Sequence, residues 1–372
     1  MTPGVTAGVH SRAANPERAR LSRAFRNVLG LAVLLVGPAA LAVSPPRPGS
    51  QARLPDALQR WEARRPAIVL DAAAKSSAST VRALVLPAGF ADLAGRTTTS
   101  DLQAVFTGTR SVRDYWRQAS DGALTVTGEV GGWQRTPGTR DGYAGDHNGL
   151  DIWAAPHNAG RFVYDAVVLA DKDGVDWGRY DDDGPDGVPN SGDDDGVVDA
   201  LIVVHAGPGG ECGTADLWSH QYFLAGWGYG PYITRTRRPG GGYVQVDQYV
   251  LVPERSCDGD VIEIGVICHE FGHLLGLPDL YDTERGRAGI GGWGLMGTGG
   301  WGGDGQRPES PSLPCAWSRV RLGWADVVAV REDGPRTIAP GDVLSVRDAD
   351  QPPGERWLLA NRSRDGFDAS LP

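Results

Sequence analysis

A chain of 372 residues with 41% hydrophobic and 22% charged residues is long enough to bury a sizeable core and has the balance of a soluble globular protein. Its net charge of -10 argues against nucleic acid as a partner, and its 53 glycines and 26 prolines argue for loops and turns over long helices. The charge is uneven: residues 1–42 carry +4, which leaves -14 on the remainder, a body that could attract divalent cations.

In chain order, a basic stretch ending at Arg26 precedes an apolar run from Val28 to Val43, and Ala40-Leu41-Ala42 has the form of an A-x-A cleavage site. The run is about 16 residues, short of the ~20 a spanning helix needs, and Gly37-Pro38 interrupts it. Residues 1–42 are therefore expected to be a secretory signal peptide, with the protein secreted and no stable membrane anchor after cleavage. Residues 43–79 read as a linker or pro-segment, opened by Pro45, Pro46 and Pro48, with a short helix over Leu54–Arg65. Val81–Leu86 predicts a buried strand ended by Pro87. Ser111 is placed to cap a helix carrying Val112, Tyr115 and Trp116, and Leu124–Val130 alternates like a strand.

Phe162–Ala170, which is expected to begin as helix, and Val197–Ala206 are apolar and rich in β-branched residues. Ala200–Val204 is the expected central strand. Tyr243–Val252 alternates again. Asp260 is the expected cap of a helix running through Val261, Ile264, Cys268, Phe271 and Leu275 on one face. Strands and helices interleave, which gives an α/β class. Four cysteines in an exported chain suggest two disulfides, with three possible pairings.

Residues 269–279 read His-Glu-Phe-Gly-His-Leu-Leu-Gly-Leu-Pro-Asp. On a helix, His269 and His273 project from one face a turn apart and can fill two corners of a zinc tetrahedron. Glu270 can reach a water at that position without ligating the metal, as a general base. Gly276 permits a tight turn and Pro278 forbids helix continuation, so the chain can return Asp279 as the third ligand.

Through HEFGHLLGLPDLYD (His269–Asp282) and GGWGLMGTGGW (Gly291–Trp301), the chain resembles the immune-inhibitor-A-like peptidases, family M6 of the metalloproteases, within the metzincin pattern. Val81–Asp92, Ser111–Trp116, Val126–Trp133, Ile202–Gly209, Leu217–His220 and Cys315–Trp324 extend the likeness over roughly residues 80–372. The resemblance implies one catalytic zinc on His269, His273 and Asp279, a Met-turn at Met296, and a twisted mixed sheet with an active-site helix. The expected domains are a catalytic domain over 80–325 and the start of a small β-rich extension over 326–372. The tyrosine that some metzincins carry two residues after the methionine is replaced here by Thr298.

Between 171 and 199 lie three acidic clusters with D-x-D-G spacing, which suits a hard cation. Asp181, Asp183, Asp186, Asp193, Asp195 and Asp199 are the expected ligands of a structural calcium ion. His205 and His220 are either cleft residues or hydrogen-bonded structural ones. The expected function is a secreted zinc endopeptidase acting as a monomer on proteins or peptides. The competing reading is a secreted calcium-stabilised binding or adhesion module with a vestigial zinc site, which the intact Glu270 disfavours.

Overall fold

In the computed structural model, residues 42–50, 52–53, 79–283, 287–330, 334–347 and 355–372 are described. The expected leader, apart from Ala42, and the expected helix over 54–65 lie outside them. No helix among the described residues is long and apolar enough to cross a membrane.

The strands are β1 (Ala42–Val43), β2 (Ser79–Gly89), β3 (Leu124–Val130), β4 (Gln134–Arg135), β5 (Ala200–Pro208), β6 (His220–Phe223), β7 (Tyr232–Arg237), β8 (Tyr243–Val246), β9 (Gln248–Arg255), β10 (Val327–Val330), β11 (Val343–Val346) and β12 (Trp357–Ala360). The helices are α1 (Thr99–Thr107), α2 (Val112–Ala119), α3 (Arg140–Ala144), α4 (Ala159–Lys172), α5 (Ile264–Leu274) and α6 (Ala316–Arg321). One mixed sheet has the order β1-β6-β9-β5-β2-β3, with β4 also paired to β2. Its inner pairs are parallel, whereas β6 on β9 and β1 on β6 are antiparallel. A hairpin of β7 and β8 and a small sheet β10-β11-β12 complete the strands.

Period-2 alternation splits the interior into two cores. Leu84, Leu86, Leu201, Val203, Tyr249 and Leu251 face α4, whereas Val85, Ile202, Val204, Val250 and Val252 face α1, α2 and α5. Both sheet faces are covered, so the central strands are apolar on both sides.

Several boundaries differ from the sequence reading. β2 runs through Pro87. The Val85 and Gly89 carbonyls accept from Gly131 and Thr136, so Pro87 also points to that side, where β3 has ended and β4 has not begun. Its missing N–H therefore costs no ladder bond. Tyr243–Val252 is broken at Asp247 into β8 and β9. Phe162–Ala170 is helical throughout as part of α4, with Asn158 accepting from the Arg161 N–H as cap. Ser111 caps α2 through Asp114 N–H. α5 begins at Ile264, not Val261, because Val261 bridges to Arg255 and Asp260 closes a turn with Ser256. One disulfide forms, Cys212–Cys257, while Cys268 is a buried free thiol and Cys315 a half-buried one, so the suggestion of two bridges is corrected.

Candidate metal centre

Every residue of α5 is buried, including His269, Glu270 and His273. Its apolar side packs on β9 and α2 through Ile267, Cys268 and Phe271, and the two imidazoles stand 4.9 Å apart at a plane angle of 84°. Gly276 ends the helix at φ +82°, a left-handed conformation that glycine adopts without strain. The chain then returns Asp279 so that its Oδ1 lies 3.2 Å from His269 Nε2 and 3.1 Å from His273 Nε2.

Both rings are oriented by backbone. His269 Nδ1 lies 2.9 Å from the Leu295 carbonyl and His273 Nδ1 2.7 Å from the Leu277 carbonyl. A carbonyl only accepts, so both Nδ1 atoms carry the proton. In neutral rings the Nε2 lone pairs then face the Asp279 carboxylate. Three electron-rich atoms that close repel one another unless a cation lies among them, and two imidazoles with a carboxylate are a donor set that suits zinc. Burial pushes the Asp279 carboxyl up, but His273 and His269, when protonated at Nε2 and positively charged, outweigh it and hold it below the usual carboxylate range, as a cation among the three atoms also would. Glu270 is fully buried on the same helix, about 100° around from His269 and about 60° from His273.

The Met296 turn forms the floor. A Cβ on Gly272, between the two histidines, would lie 2.7 Å from the Met296 sulfur. The Met296 carbonyl accepts from Leu280 N–H at 2.7 Å. One turn thus carries the carbonyl that orients His269 and the carbonyl that ties down the segment bearing Asp279.

The acidic loop converges differently. Asp181, Asp183 and Asp194 each offer a carboxylate oxygen within 4.8 Å of the others. Asp194 was not among the expected ligands. Of the others, Asp186 accepts from Val188 N–H, Asp193 from Asp186 N–H, Asp195 from Val197 N–H, and Asp199 from Asp182 N–H. Those four close turns of the loop and do not join the three-carboxylate group. Burial, with the charges of Asp194, Asp195 and Asp183 adding to it, pushes Asp181 up to about 6 against the Gly196 amide it accepts from.

His205 and His220 are structural. Both are fully buried, and His220 binds the Trp218 carbonyl at 2.8 Å and the Tyr249 hydroxyl at 2.9 Å. Sequence reasoning missed Tyr281, whose ring lies 6.4 Å from that of His269 and whose hydroxyl donates to the Val43 carbonyl. Its position two residues past Asp279 was the available signal.

Immune inhibitor A of Bacillus thuringiensis subsp. alesti is 34% identical over 236 residues, covering 59% of this chain and 33% of that protein. The pre-pro-metalloprotease PrtV of Vibrio cholerae serotype O1 is 32% identical over 208 residues, covering 50% of this chain and 21% of PrtV. The chain therefore spans a third or less of these relatives' lengths. The family model described as "Immune inhibitor A peptidase M6, catalytic domain" matches residues 98–325, more than half of the chain, so the protein belongs to the immune inhibitor A peptidase M6 family.

Proposed function

We propose that this protein is a secreted zinc-dependent endopeptidase whose metal is held by His269, His273 and Asp279, with Glu270 as general base. The observation that carries the reading is the approach of both Nε2 atoms to one Asp279 oxygen, at 3.2 and 3.1 Å, with each ring anchored through Nδ1. Family membership supports it. When bound, zinc supplies Lewis acidity, acidifying a water and polarising the scissile carbonyl. Glu270 takes a proton from the attacking water and returns it to the departing amine. The anionic Asp279 leaves the centre one positive charge weaker than three histidines would, which increases the reliance on Glu270.

The sheet order, with antiparallel β6 next to the edge strand β1 and a methionine beneath the histidines, supports a metzincin-like arrangement. We assign 1–42 to the signal peptide, 43–79 to a pro-segment or linker, 80–325 to the catalytic domain and 326–372 to the β-rich extension. The convergence of Asp181, Asp183 and Asp194 supports a structural calcium ion on those three residues. Purified full chain should hydrolyse casein, lose activity to a zinc chelator and regain it with one equivalent of zinc. Zinc uptake without hydrolysis would favour the binding-module reading and refute this one.

A further inference from the structure

Leu295 carries the carbonyl that orients His269, so whatever fixes residues 291–295 bears on the metal centre. Two side chains from other segments hold that stretch. Ser312 Oγ donates to the Gly292 carbonyl at 2.7 Å, and Arg362 Nη1 donates to the Trp293 carbonyl. The same guanidinium reaches three further acceptor positions: Asp368 Oδ2 from Nε at 2.9 Å, Asp368 Oδ1 from Nη2 at 2.6 Å, and the Leu313 carbonyl from Nη2 at 3.1 Å. Asp368 Oδ1 also accepts from Leu313 N–H at 2.8 Å. Bridging these groups needs a planar fork with donors fixed in several directions, which arginine has and lysine lacks.

Arg362 and Asp368 lie beyond the span matched by the M6 catalytic domain, which ends at residue 325. They are nonetheless seated in its interior. Asp368 and Phe367 are 3% and 4% exposed, and the Phe367 ring meets Tyr115 at 5.2 Å, edge-on, in the core that also holds Ile267 and Phe271 of α5. Building on the peptidase reading above, we propose that Arg362, aligned by Asp368, is a positioning residue for the hydrolytic reaction. It pins the Trp293 carbonyl, and the backbone from Trp293 to Leu295 carries that constraint to the carbonyl on His269 Nδ1. The link is short and has little slack. Gly294 is extended, at φ -167° and ψ 153°, and a Cβ on it would lie 2.8 Å from the Ile290 side chain and 3.2 Å from Cys315 Cβ. A carbonyl on the far nitrogen of a ligand histidine fixes the ring's orientation and raises its basicity, so a shift of Leu295 reaches the metal position through His269.

In the full chain, Arg362→Lys keeps a positive charge beside Asp368 but cannot reach the Trp293 and Leu313 carbonyls together. It should lower kcat for a fluorogenic casein-derived peptide about tenfold, with KM within about twofold. With Co2+ in place of zinc, the visible d–d bands of the variant should shift or broaden, a readout that needs no turnover. Asp368→Asn, which keeps the Oδ1 contacts and loses the one to Nε, should change both in the same direction, with kcat down about threefold, and serves where Arg362→Lys does not fold. Phe367→Leu loosens the same segment without touching the fork. It should lower Tm while keeping the parent kcat and cobalt spectrum well below that Tm. A parent-like kcat and cobalt spectrum in both Arg362→Lys and Asp368→Asn, or equal changes in Phe367→Leu, overturns the assignment. A metal-loaded parent with no turnover refutes the peptidase reading itself, and the cobalt spectra still decide whether Arg362 positions His269.

Discussion

Two clusters of ligand-type side chains in this protein are held by opposite means. Around His269, His273 and Asp279 each group is fixed from outside the cluster, by the Leu295 and Leu277 carbonyls and by the methionine under Gly272. Around Asp181, Asp183 and Asp194 the carboxylates are held by amides of their own loop, such as Gly196, Asp195 and Gly184. The first geometry is imposed by packing and should survive loss of its cation. The second is a set of like charges on a loop, and its order should depend on neutralisation.

The largest effect expected on the packed side is chemical. Glu270→Gln should lower kcat by about 10²–10⁴-fold, with zinc content unchanged when measured by elemental mass spectrometry. Next, Met296→Ala should cost about 2–5 kcal/mol of stability by thermal unfolding, because it empties a floor that is 1% exposed. Matching losses in the acidic loop from a single truncation would erase the contrast.

Acid should separate the packed interior from the acidic loop by sign. Burial depresses the His220 imidazole to about 4, with the Trp218 carbonyl opposing and His205 adding to the fall. The unfolded chain therefore binds a proton from about pH 6.5 downward that the native chain refuses, and the stability held by neutral His220 is lost between pH 6.5 and 4, by up to roughly 3 kcal/mol. His220→Gln should flatten that part of the pH–stability curve. Asp181, raised to about 6, works in the other direction: without a cation, the stability it withholds at neutral pH returns as pH falls from 6 towards 4.

The smallest expected effect belongs to the loop. Calcium at 100 times its Kd should add about 2.7 kcal/mol to stability, read as a rise in Tm. Asp194→Asn should remove that increment, whereas Asp186→Asn should leave it. Equal loss from both would mean that the loop responds to charge in general and not through a defined triad.

The convergence of His269, His273 and Asp279 was legible in the sequence because its spacing is local. His269 and His273 are four apart on a helix, and Gly276 and Pro278 dictate the turn that returns Asp279. The loop was legible only in outline. D-x-D-G spacing marks acidity, but whether Asp193, Asp194 or Asp195 turns inward depends on which carboxylates cap amides, and that is set by the folded loop. The start of α5 was misjudged because Asp260 looks like a cap, while the Val261–Arg255 bridge that excludes it from the helix is a tertiary contact. The pairing of residues 42–44 with β6 was invisible for the same reason at longer range. Nothing near Val43 signals that its carbonyl will meet a hydroxyl 238 positions away.

The central claim is that two imidazoles and one carboxylate share a single zinc ion. X-ray absorption at the zinc edge of the metal-loaded full chain tests it directly. The predicted first shell is nitrogen and oxygen only, at about 2.0–2.2 Å, with the outer-shell scattering of two imidazoles that is lost in Asp279→Ala along with tight zinc binding. A sulfur shell at about 2.3 Å, implicating the free thiols, or an unchanged spectrum in Asp279→Ala would contradict it.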